Sequence, residues 1–333
     1  MAPCGREAHQ LALCAGLSRM EYEWLHDGQS GTLRGRLLFW RISGWLIACG
    51  RFLRESPVAA LCDRNCFGGF PLEYPFSVVA VDVGGTKIAC AVVRYENADA
   101  APIIPSKRSI PTDAQQGGEV VLARALDLID GVRAEALSHG ETIVGVGVAT
   151  AGRVDVNTGN IAFANEIMPG WSGQPLGDAL RERFECPSAV LGDVQSHALG
   201  EARWGAARGA QTAVVMAPGT GLGGGIICHG KIVRGKHGFA GEIGSTMNTL
   251  DALDGNLESV AAGSGIEARY YAACGVHQTG AEISHRAQLG EDIARQTIEN
   301  AGRALGLALA GWTNIFDPDI AVVSGSVTKA GPI

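Results

Sequence analysis

Two glycine-rich segments of the chain carry residue types that could hold phosphate oxygens. The first is Gly84-Gly85-Thr86, which Asp82 precedes and Lys87 follows. Backbone N–H groups at such a turn can converge on a phosphate because no side chain blocks the approach. The flanking residues add a carboxylate for Mg²⁺, a hydroxyl and a cation. The segment predicts a nucleotide-phosphate site, although a plain hairpin with a solvated lysine explains the same residues.

The second segment, Gly219-Thr220-Gly221-Leu222-Gly223-Gly224, matches the G-x-G-x-x-G pattern of dinucleotide-binding proteins. In a dinucleotide site that pattern must open a helix, whereas residues 226–233 are rich in β-branched side chains and punctuated by glycine. We therefore expect a strand, a glycine turn over 219–225 and a second strand, so the motif favours another phosphate-binding hairpin over an NAD site. The chain has no Walker A sequence, and a P-loop site is not supported.

Hydrophobic periodicity predicts the elements that position these turns. The first hairpin is expected to have strands at 78–82 and 88–93. Apolar residues at three- and four-residue spacing predict a helix over 119–137. Further helices are expected at 257–273 and 291–312, and further strands at 142–150, 188–194, 212–216, 226–233 and 320–324. This alternation of elements indicates an α/β fold.

Composition excludes several classes of protein. The chain has 333 residues, of which 46% are hydrophobic and 18% charged. This is longer than a chain that ordinarily folds around one hydrophobic core, so the length predicts about two domains. A net charge of −7 removes the attraction that drives nonspecific nucleic-acid binding. Nine cysteines without a Cys-x-x-Cys pair favour reduced thiols in a cytoplasmic protein. The apolar stretch 37–53 is interrupted by Arg41, Gly44 and Gly50, so we expect no membrane association.

Taken in order, the motifs resemble those of the ROK family of sugar kinases, within the actin-like ATPase superfamily. The resemblance covers residues 77–333. Val81 to Lys87 is similar to the family's first phosphate loop, and Pro218 to Gly225 is similar to its second. Four further segments follow in the family's order: Asn165 with Pro169-Gly170-Trp171, Asp193 ahead of Gly200-Glu201-Ala202, Ala240 to Gly244, and Leu257 to Ser259.

The resemblance implies an α/β actin-like ATPase fold, related to ribonuclease H, with two domains and a central cleft. We expect an N-terminal α/β domain at 76–193 with the first phosphate loop and the sugar site, and a C-terminal nucleotide domain at 194–333. Residues 1–75 are expected to form an atypical, poorly ordered extension. The chain stops soon after Ser324 to Val327, which resembles the family's adenosine-side loop, so we expect the C-terminal domain to be incomplete.

The resemblance also implies ATP- and Mg²⁺-dependent phosphorylation of a hexose or N-acylhexosamine at its 6-hydroxyl. Asp193 is similar to the family's general base, although an aspartate after a strand is also a common helix cap. The sugar-binding residues would be Asn165, Asp193, Glu242, Ser245 and Glu258. The phosphate-binding residues would be Asp82, which is also an indirect ligand of Mg²⁺, and Gly84, Gly85, Thr86, Lys87, Gly219, Thr220, Gly221, Gly223, Gly224 and Gly325.

Some positions depart from the family pattern. ROK kinases commonly carry a histidine after Glu-x-Gly and a cysteine cluster that binds structural zinc. Here Ser245 replaces that histidine and residues 246–256 contain no cysteine, so we expect no zinc. The missing histidine leaves the choice of hexose open. We expect a homodimer that binds a small-molecule sugar and ATP.

Two other functions stay open. Gly16-Leu17-Ser18 resembles the turn of a helix-turn-helix, which suggests a ROK-type sugar-responsive repressor. The intact loop from Asp82 to Lys87 favours nucleotide use instead. The unusual sequence at both ends suggests a third hypothesis, in which the chain is an inactive kinase fragment.

Overall fold

The computed structural model describes residues 74–97, 100–246 and 255–330, together with the backbone of four short strands ahead of them. This described part does not include residues 16–18, which resemble the turn of a helix-turn-helix. It also does not include the apolar stretch 37–53. Residues 247–254, which belong to the segment expected to lack zinc ligands, also lie outside it. The four strands pair as two antiparallel ladders: β1 (Leu13–Cys14) with β2 (Arg19–Met20), and β3 (Trp24–His26) with β4 (Leu33–Gly35).

The described residues after 73 fall into two compact units. The N-terminal unit comprises 74–97, 100–204 and 231–240, and the C-terminal unit comprises 205–230, 241–246 and 255–330. The boundary expected from the sequence, between residues 193 and 194, would separate a strand from the helix that follows it. The compact unit keeps the two together because Leu199 of the helix packs against Ala189 and Leu191 of the strand.

The N-terminal unit is built on a five-stranded sheet with the order β11-β8-β5-β6-β7. The first three of these strands are parallel, and β6 and β7 are antiparallel to their neighbours. Both faces of β5 are buried, which explains its run of valine and alanine. The strands are β5 (Phe76–Val83), β6 (Lys87–Tyr95), β7 (Ile103–Pro111), β8 (Ile143–Thr150) and β11 (Ser188–Gly192).

Helices cover this sheet, and two of the small strands, β9 and β10, form a separate antiparallel pair. Helix α1 packs the apolar side chains of Val121, Ile129 and Val132 into a core shared with Val79 and Val81 of β5. Burial of each such side chain contributes roughly 1.5–3 kcal/mol. The helices are α1 (Gly118–Ser138), α2 (Leu176–Phe184) and α3 (Asp193–Trp204), and the small strands are β9 (Arg153–Val154), β10 (Ile161–Phe163) and β14 (Lys231–Ile232).

The C-terminal unit contains the second predicted hairpin. Strand β12 pairs antiparallel with β13 and parallel with β15, and four helices follow β13 along the chain. Thr279 and Glu282 form a reciprocal capping box at the start of α6. The elements are β12 (Thr212–Pro218), β13 (Leu222–Cys228), β15 (Ile320–Val323), α4 (Glu258–Ala261), α5 (Gly263–Cys274), α6 (Gly280–Gln288) and α7 (Asp292–Phe316).

Several predicted elements differ from the structure. The strand expected at 188–194 ends at Gly192, and Asp193 already belongs to α3. The turn expected over 219–225 ends at Gly221, because Gly223, Gly224 and Gly225 pair with β12. The helix expected over 257–273 is interrupted at Ala262, whose backbone is extended.

No helix in the described part of the chain is long and apolar enough to cross a membrane.

Candidate functional site

Three neighbouring strands of the N-terminal unit end at one edge of the sheet. Val83 of β5 and Gly192 of β11 both lie opposite Thr150 of β8, and Asp193 follows Gly192 directly. Asp82 is one residue from the end of β5. Open α/β sheets bind ligands outside the carboxyl ends of their strands. The structure therefore brings Asp82 and Asp193 to the edge where a ligand is expected.

The first glycine turn closes between β5 and β6. The Gly84 N–H donates to the Lys87 carbonyl oxygen at 3.1 Å. Thr112, which is fully buried, donates its hydroxyl to the Gly84 carbonyl at 2.5 Å and its N–H to the Thr86 carbonyl at 3.0 Å. The side chains of Thr86 and Lys87 are exposed. Thr112 thus fixes the turn, and no sequence motif marks it for that role.

Asp82 is a partly buried carboxylate near two lysines. Burial raises the pKa of its carboxyl group, and the charges of Lys87 and Lys107 lower it in part. A carboxylate withdrawn from water beside cations is typical of sites that bind ions or phosphates.

A loop after β10 carries Asn165. This exposed side chain accepts the Ile167 N–H through Oδ1 at 3.2 Å, which organises the start of the loop. Trp171 anchors the other end, since its ring is fully buried and Nε1 donates to the Thr150 hydroxyl at 3.1 Å. The loop is therefore attached to the same sheet edge as Asp82 and Asp193.

Asp193 is the first residue of α3 and is half-buried. Its Oδ1 atom accepts the N–H of Val194 at 2.8 Å. This bond is local to the start of the helix. The position is compatible with both roles considered from the sequence, the helix-terminal residue and the base.

The second glycine turn consists of Gly219, Thr220 and Gly221, because Pro218 already pairs with Leu222. Its carbonyl groups are bound by the start of α5. The Gly263 N–H donates to the Gly219 carbonyl at 2.8 Å, and the Ser264 hydroxyl donates to the Thr220 carbonyl at 2.9 Å.

Glu258 lies against this turn. Its Oε2 atom accepts the Leu222 N–H at 2.7 Å, and a Cβ added at Gly221 would lie 2.8 Å from the same oxygen. The predicted sugar-binding residue therefore supports the second glycine turn.

The loop after β15 reaches the same turn. Gly325 has a φ of +133°, and a Cβ there would lie 2.3 Å from the Pro218 carbonyl oxygen. A Cβ added at Gly219 would be 4.0 Å from the Ser326 hydroxyl oxygen. The structure thus brings Gly325 together with Gly219 to Gly221, as expected of parts of one nucleotide site.

Glu242 and Ser245 are exposed and belong to a segment that packs on β13. A Cβ at Gly244 would lie 2.2 Å from the Leu222 carbonyl oxygen and 3.2 Å from Cβ of Glu258. The structure therefore places this segment beside Glu258 at the start of β13. Gly224 faces the same segment, since a Cβ there would lie 2.9 Å from the Gly241 carbonyl oxygen.

Two of the turn glycines are not required by the packing of the described residues. Gly84 and Gly219 do not have left-handed backbones, and a Cβ at either would meet its nearest neighbour at 3.4 Å and 3.9 Å, which are ordinary contacts. Glycine at such positions leaves the backbone accessible to the close approach of another molecule.

Among residues 74–97, 100–246 and 255–330, no group of three or more histidine, cysteine or acidic side chains is placed to hold a metal ion. The absence of zinc stays a prediction, because 247–254 lie outside these ranges.

Comparison with known proteins assigns the chain to a family. A model described as the ROK family matches residues 78–333. The glucokinase of Halalkalibacterium halodurans is 31% identical over 274 residues, which cover 76% of this chain and 81% of that protein.

Two solved structures share the fold. A ROK hexokinase from Thermus thermophilus matches with a TM-score of 0.67 and 30% identity, over 77% of this chain and 84% of that one. A ROK family glucokinase from Streptomyces griseus, in complex with glucose and AMPPNP, matches with a TM-score of 0.61 and 30% identity, over 76% and 84%. The fold is that of the actin-like ATPases, and the chain belongs to the ROK family.

Proposed function

We propose that the chain is a sugar kinase that transfers the terminal phosphoryl group of ATP to the 6-hydroxyl of a hexose or N-acylhexosamine. The observation that carries this proposal is the placement of Asp82, with its glycine turn, and Asp193 at the ends of β5 and β11, the parallel strands on either side of β8. The glucokinase and hexokinase relatives support the same activity.

The two glycine turns suit the phosphates of ATP. Gly84 and Gly219 leave backbone open to an approaching ligand, and the exposed Lys87 and Thr86 add a cation and a hydroxyl. Gly325 adjoins the second turn and would lie on the adenosine side. Phosphoryl transfer depends mainly on such positioning and charge neutralisation.

Asp82 fits a role at Mg²⁺. This ion keeps several water ligands and usually takes one or two carboxylates together with the substrate phosphates, so a cluster of three protein ligands is not required. When bound, Mg²⁺ neutralises charge on the phosphates. Asp82 would hold it through water, with Lys87 beside the same phosphates.

Asp193 would act on the sugar. A carboxylate within hydrogen-bond reach of the 6-hydroxyl accepts its proton as that oxygen attacks phosphorus. Asn165, Glu242, Ser245 and Glu258 would orient the other hydroxyls through directional hydrogen bonds.

Coupled ADP release with ATP and Mg²⁺ tests the proposal on glucose, mannose, N-acetylglucosamine and N-acetylmannosamine. We expect sugar-dependent ADP release with at least one of them, and a 6-phosphate product by ³¹P NMR. If the protein unfolds cooperatively but releases no ADP with any of these sugars, the proposal is contradicted. Salt-dependent binding to the DNA upstream of its own gene would then favour the repressor.

Cytoplasmic localisation and a homodimer remain part of this proposal. Size-exclusion chromatography with light scattering measures the oligomeric state, and a dimer is expected.

A further inference from the structure

Arg153 lies in an unusual group of side chains next to the candidate sugar segment. The Cζ atom of its guanidinium is 4.2 Å from the ring centroid of Phe163 and 4.1 Å from that of Phe239. Both rings are about half exposed, at 47% and 55%. We call these three residues the Arg153 cluster. Contacts of this kind fix the plane of the guanidinium while its charge is retained.

The N–H donors of Arg153 have no acceptor in the described part of the protein. The guanidinium makes its two ring contacts, and no described carboxylate or carbonyl group binds it. An arginine fork that is held in place and lacks a protein partner matches the geometry of a carboxylate or phosphate, which it can bind through two parallel hydrogen bonds.

The cluster is held by a rigid support. Gln195 is buried, and its Nε2 atom donates to the carbonyl oxygens of Gly238 at 3.3 Å and Ala240 at 3.0 Å, the two residues on either side of Phe239. Gly238 has a φ of +78°, and a Cβ there would lie 2.7 Å from the Val154 carbonyl oxygen. The backbone that carries Phe239 is therefore fixed against both α3 and β9.

A second arginine, Arg234, adds positive charge in residues 231–240, the segment that contains Phe239. The Nη1 atom of Arg234 reaches the Val156 carbonyl oxygen at 3.5 Å, while its Nε and Nη2 atoms are shut off from water without a partner. The negative charge of Asp155 interacts with the Arg234 guanidinium. Residues 231–240 contain Lys231, Arg234 and Lys236 and no acidic residue. This segment therefore carries a net positive charge.

The cluster adjoins the segment expected to bind sugar. Phe163 precedes Asn165 by two residues, and a Cβ at Gly152, the neighbour of Arg153, would lie 2.5 Å from the Phe163 carbonyl oxygen. Exposed aromatic surface with a few convergent polar groups is typical of small-molecule subsites.

We propose that the Arg153 cluster is a subsite for an oxyanion, either phosphate or carboxylate, carried on a sugar. Arg153 binds the anion directly through its N–H edge, and the exposed parts of Phe163 and Phe239 contact the sugar ring. Arg234 strengthens the local positive potential. The sugar part of this proposal rests on the proposed function, since Asn165 is placed in the sugar site there.

Calorimetric titration without ATP tests the subsite directly on the full chain. The probes are glucose 6-phosphate, glucuronate, inorganic phosphate and glucose, and the variants are Arg153→Gln and Arg153→Lys. Arg208→Gln, which removes an exposed arginine of the C-terminal unit, is the matched control. We expect at least one anionic sugar to bind more tightly than glucose. Arg153→Gln should weaken that binding about tenfold and change glucose binding less than twofold.

Arg153→Lys keeps the charge and loses the planar fork, so an intermediate loss is expected, and this variant decides the test if Arg153→Gln does not fold. Comparison of glucose 6-phosphate with glucuronate shows which oxyanion is bound. Anionic sugars that bind no more tightly than glucose, an Arg153→Gln chain with unchanged anion affinity, or inorganic phosphate that binds as tightly as the sugar phosphate would each overturn the proposal. Arg153-dependent anion binding in a chain without kinase activity would support the subsite and refute the proposed function separately.

Discussion

The carboxylate of Glu258 accepts a hydrogen bond from the backbone N–H of Leu222 at 2.7 Å, across 36 positions of sequence. The same oxygen occupies the space that a side chain at Gly221 would need. One residue expected to contact sugar is thereby joined to the turn expected to contact phosphate.

Removal of the Glu258 carboxylate should therefore weaken nucleotide binding. We expect Glu258→Ala to raise the KM for ATP about tenfold, because the Leu222 N–H loses its partner and the turn loses its support. Glu258→Gln keeps a carbonyl oxygen that can accept the same bond, so its KM for ATP should stay within about twofold. A change confined to the KM for the sugar in both variants would contradict the supporting role. Steady-state kinetics with each substrate varied in turn makes the distinction.

Two glycines near this turn should respond differently to alanine. Gly219→Ala meets only ordinary contacts, so the melting temperature should hold while the KM for ATP rises. Gly325→Ala forces a left-handed backbone and a contact at 2.3 Å with Pro218, so the free energy of unfolding should fall by roughly 1–3 kcal/mol. Thermal and urea unfolding together with ATP kinetics measure both. Equal loss of stability in the two variants would show that Gly219 is a packing residue.

The pH dependence of activity should report the charges around Asp82. Burial raises the pKa of its carboxyl group and the lysines Lys87 and Lys107 lower it, so removal of either lysine should raise that pKa further. The carboxylate would then be protonated at higher pH, and the acidic side of the kcat/KM profile should move to higher pH.

Substitution of the two lysines one at a time distinguishes their effect on the charge of Asp82 from direct contact with ATP. Lys107→Met should shift the acidic side of the profile with little change in the KM for ATP, because Lys107 lies on β7 outside the turn. Lys87→Met should shift the profile and also raise the KM for ATP. A profile that does not move in Lys107→Met would show that Asp82 does not control the acidic side.

A buried histidine should make stability depend on pH. Burial lowers the pKa of His197 from 6.5 to about 4 in the folded state. As the pH falls through this range, the unfolded chain takes up a proton that the folded chain does not, so the free energy of unfolding decreases, by up to about 3 kcal/mol near pH 4.

His197→Gln cannot bind that proton, and its stability should fall less between pH 6.5 and pH 4 than that of the wild type. The exposed His139→Gln variant is the control and should follow the wild-type curve. Urea unfolding at several pH values measures the difference. Parallel curves for the wild type and His197→Gln would contradict the assignment.

Local patterns predicted the elements whose packing is local. Alternating apolar residues located β5 and β6, and helical spacing located α1 within one residue at each end. Strand β7 and the helices α2 and α6 are among the elements that were not predicted. Strand β7 is mostly exposed and mixes apolar with charged residues, so its sequence shows no buried face.

Contacts between distant segments set the remaining features. Ala262 interrupts the expected long helix where the Gly263 N–H is used by the Gly219 carbonyl group, 44 positions away. Thr112, the residue after β7, fixes the first turn, and no periodicity marks that bond. The Arg153 cluster likewise joins three separate segments, so neither its rings nor its unpartnered fork could be predicted from the sequence.

The most direct test of the proposed function replaces the carboxylate of Asp193. Asp193→Asn keeps the size of the side chain and an oxygen for the Val194 N–H, but it removes the group that accepts the sugar proton. Asp317→Asn is the matched control, because Asp317 is exposed and has a left-handed backbone that asparagine tolerates. We expect kcat for sugar-dependent ADP release to fall by roughly 10²–10⁴-fold in Asp193→Asn, with an unchanged melting temperature, and to stay at the wild-type value in Asp317→Asn. A wild-type kcat in Asp193→Asn would contradict the assignment of Asp193 as the general base.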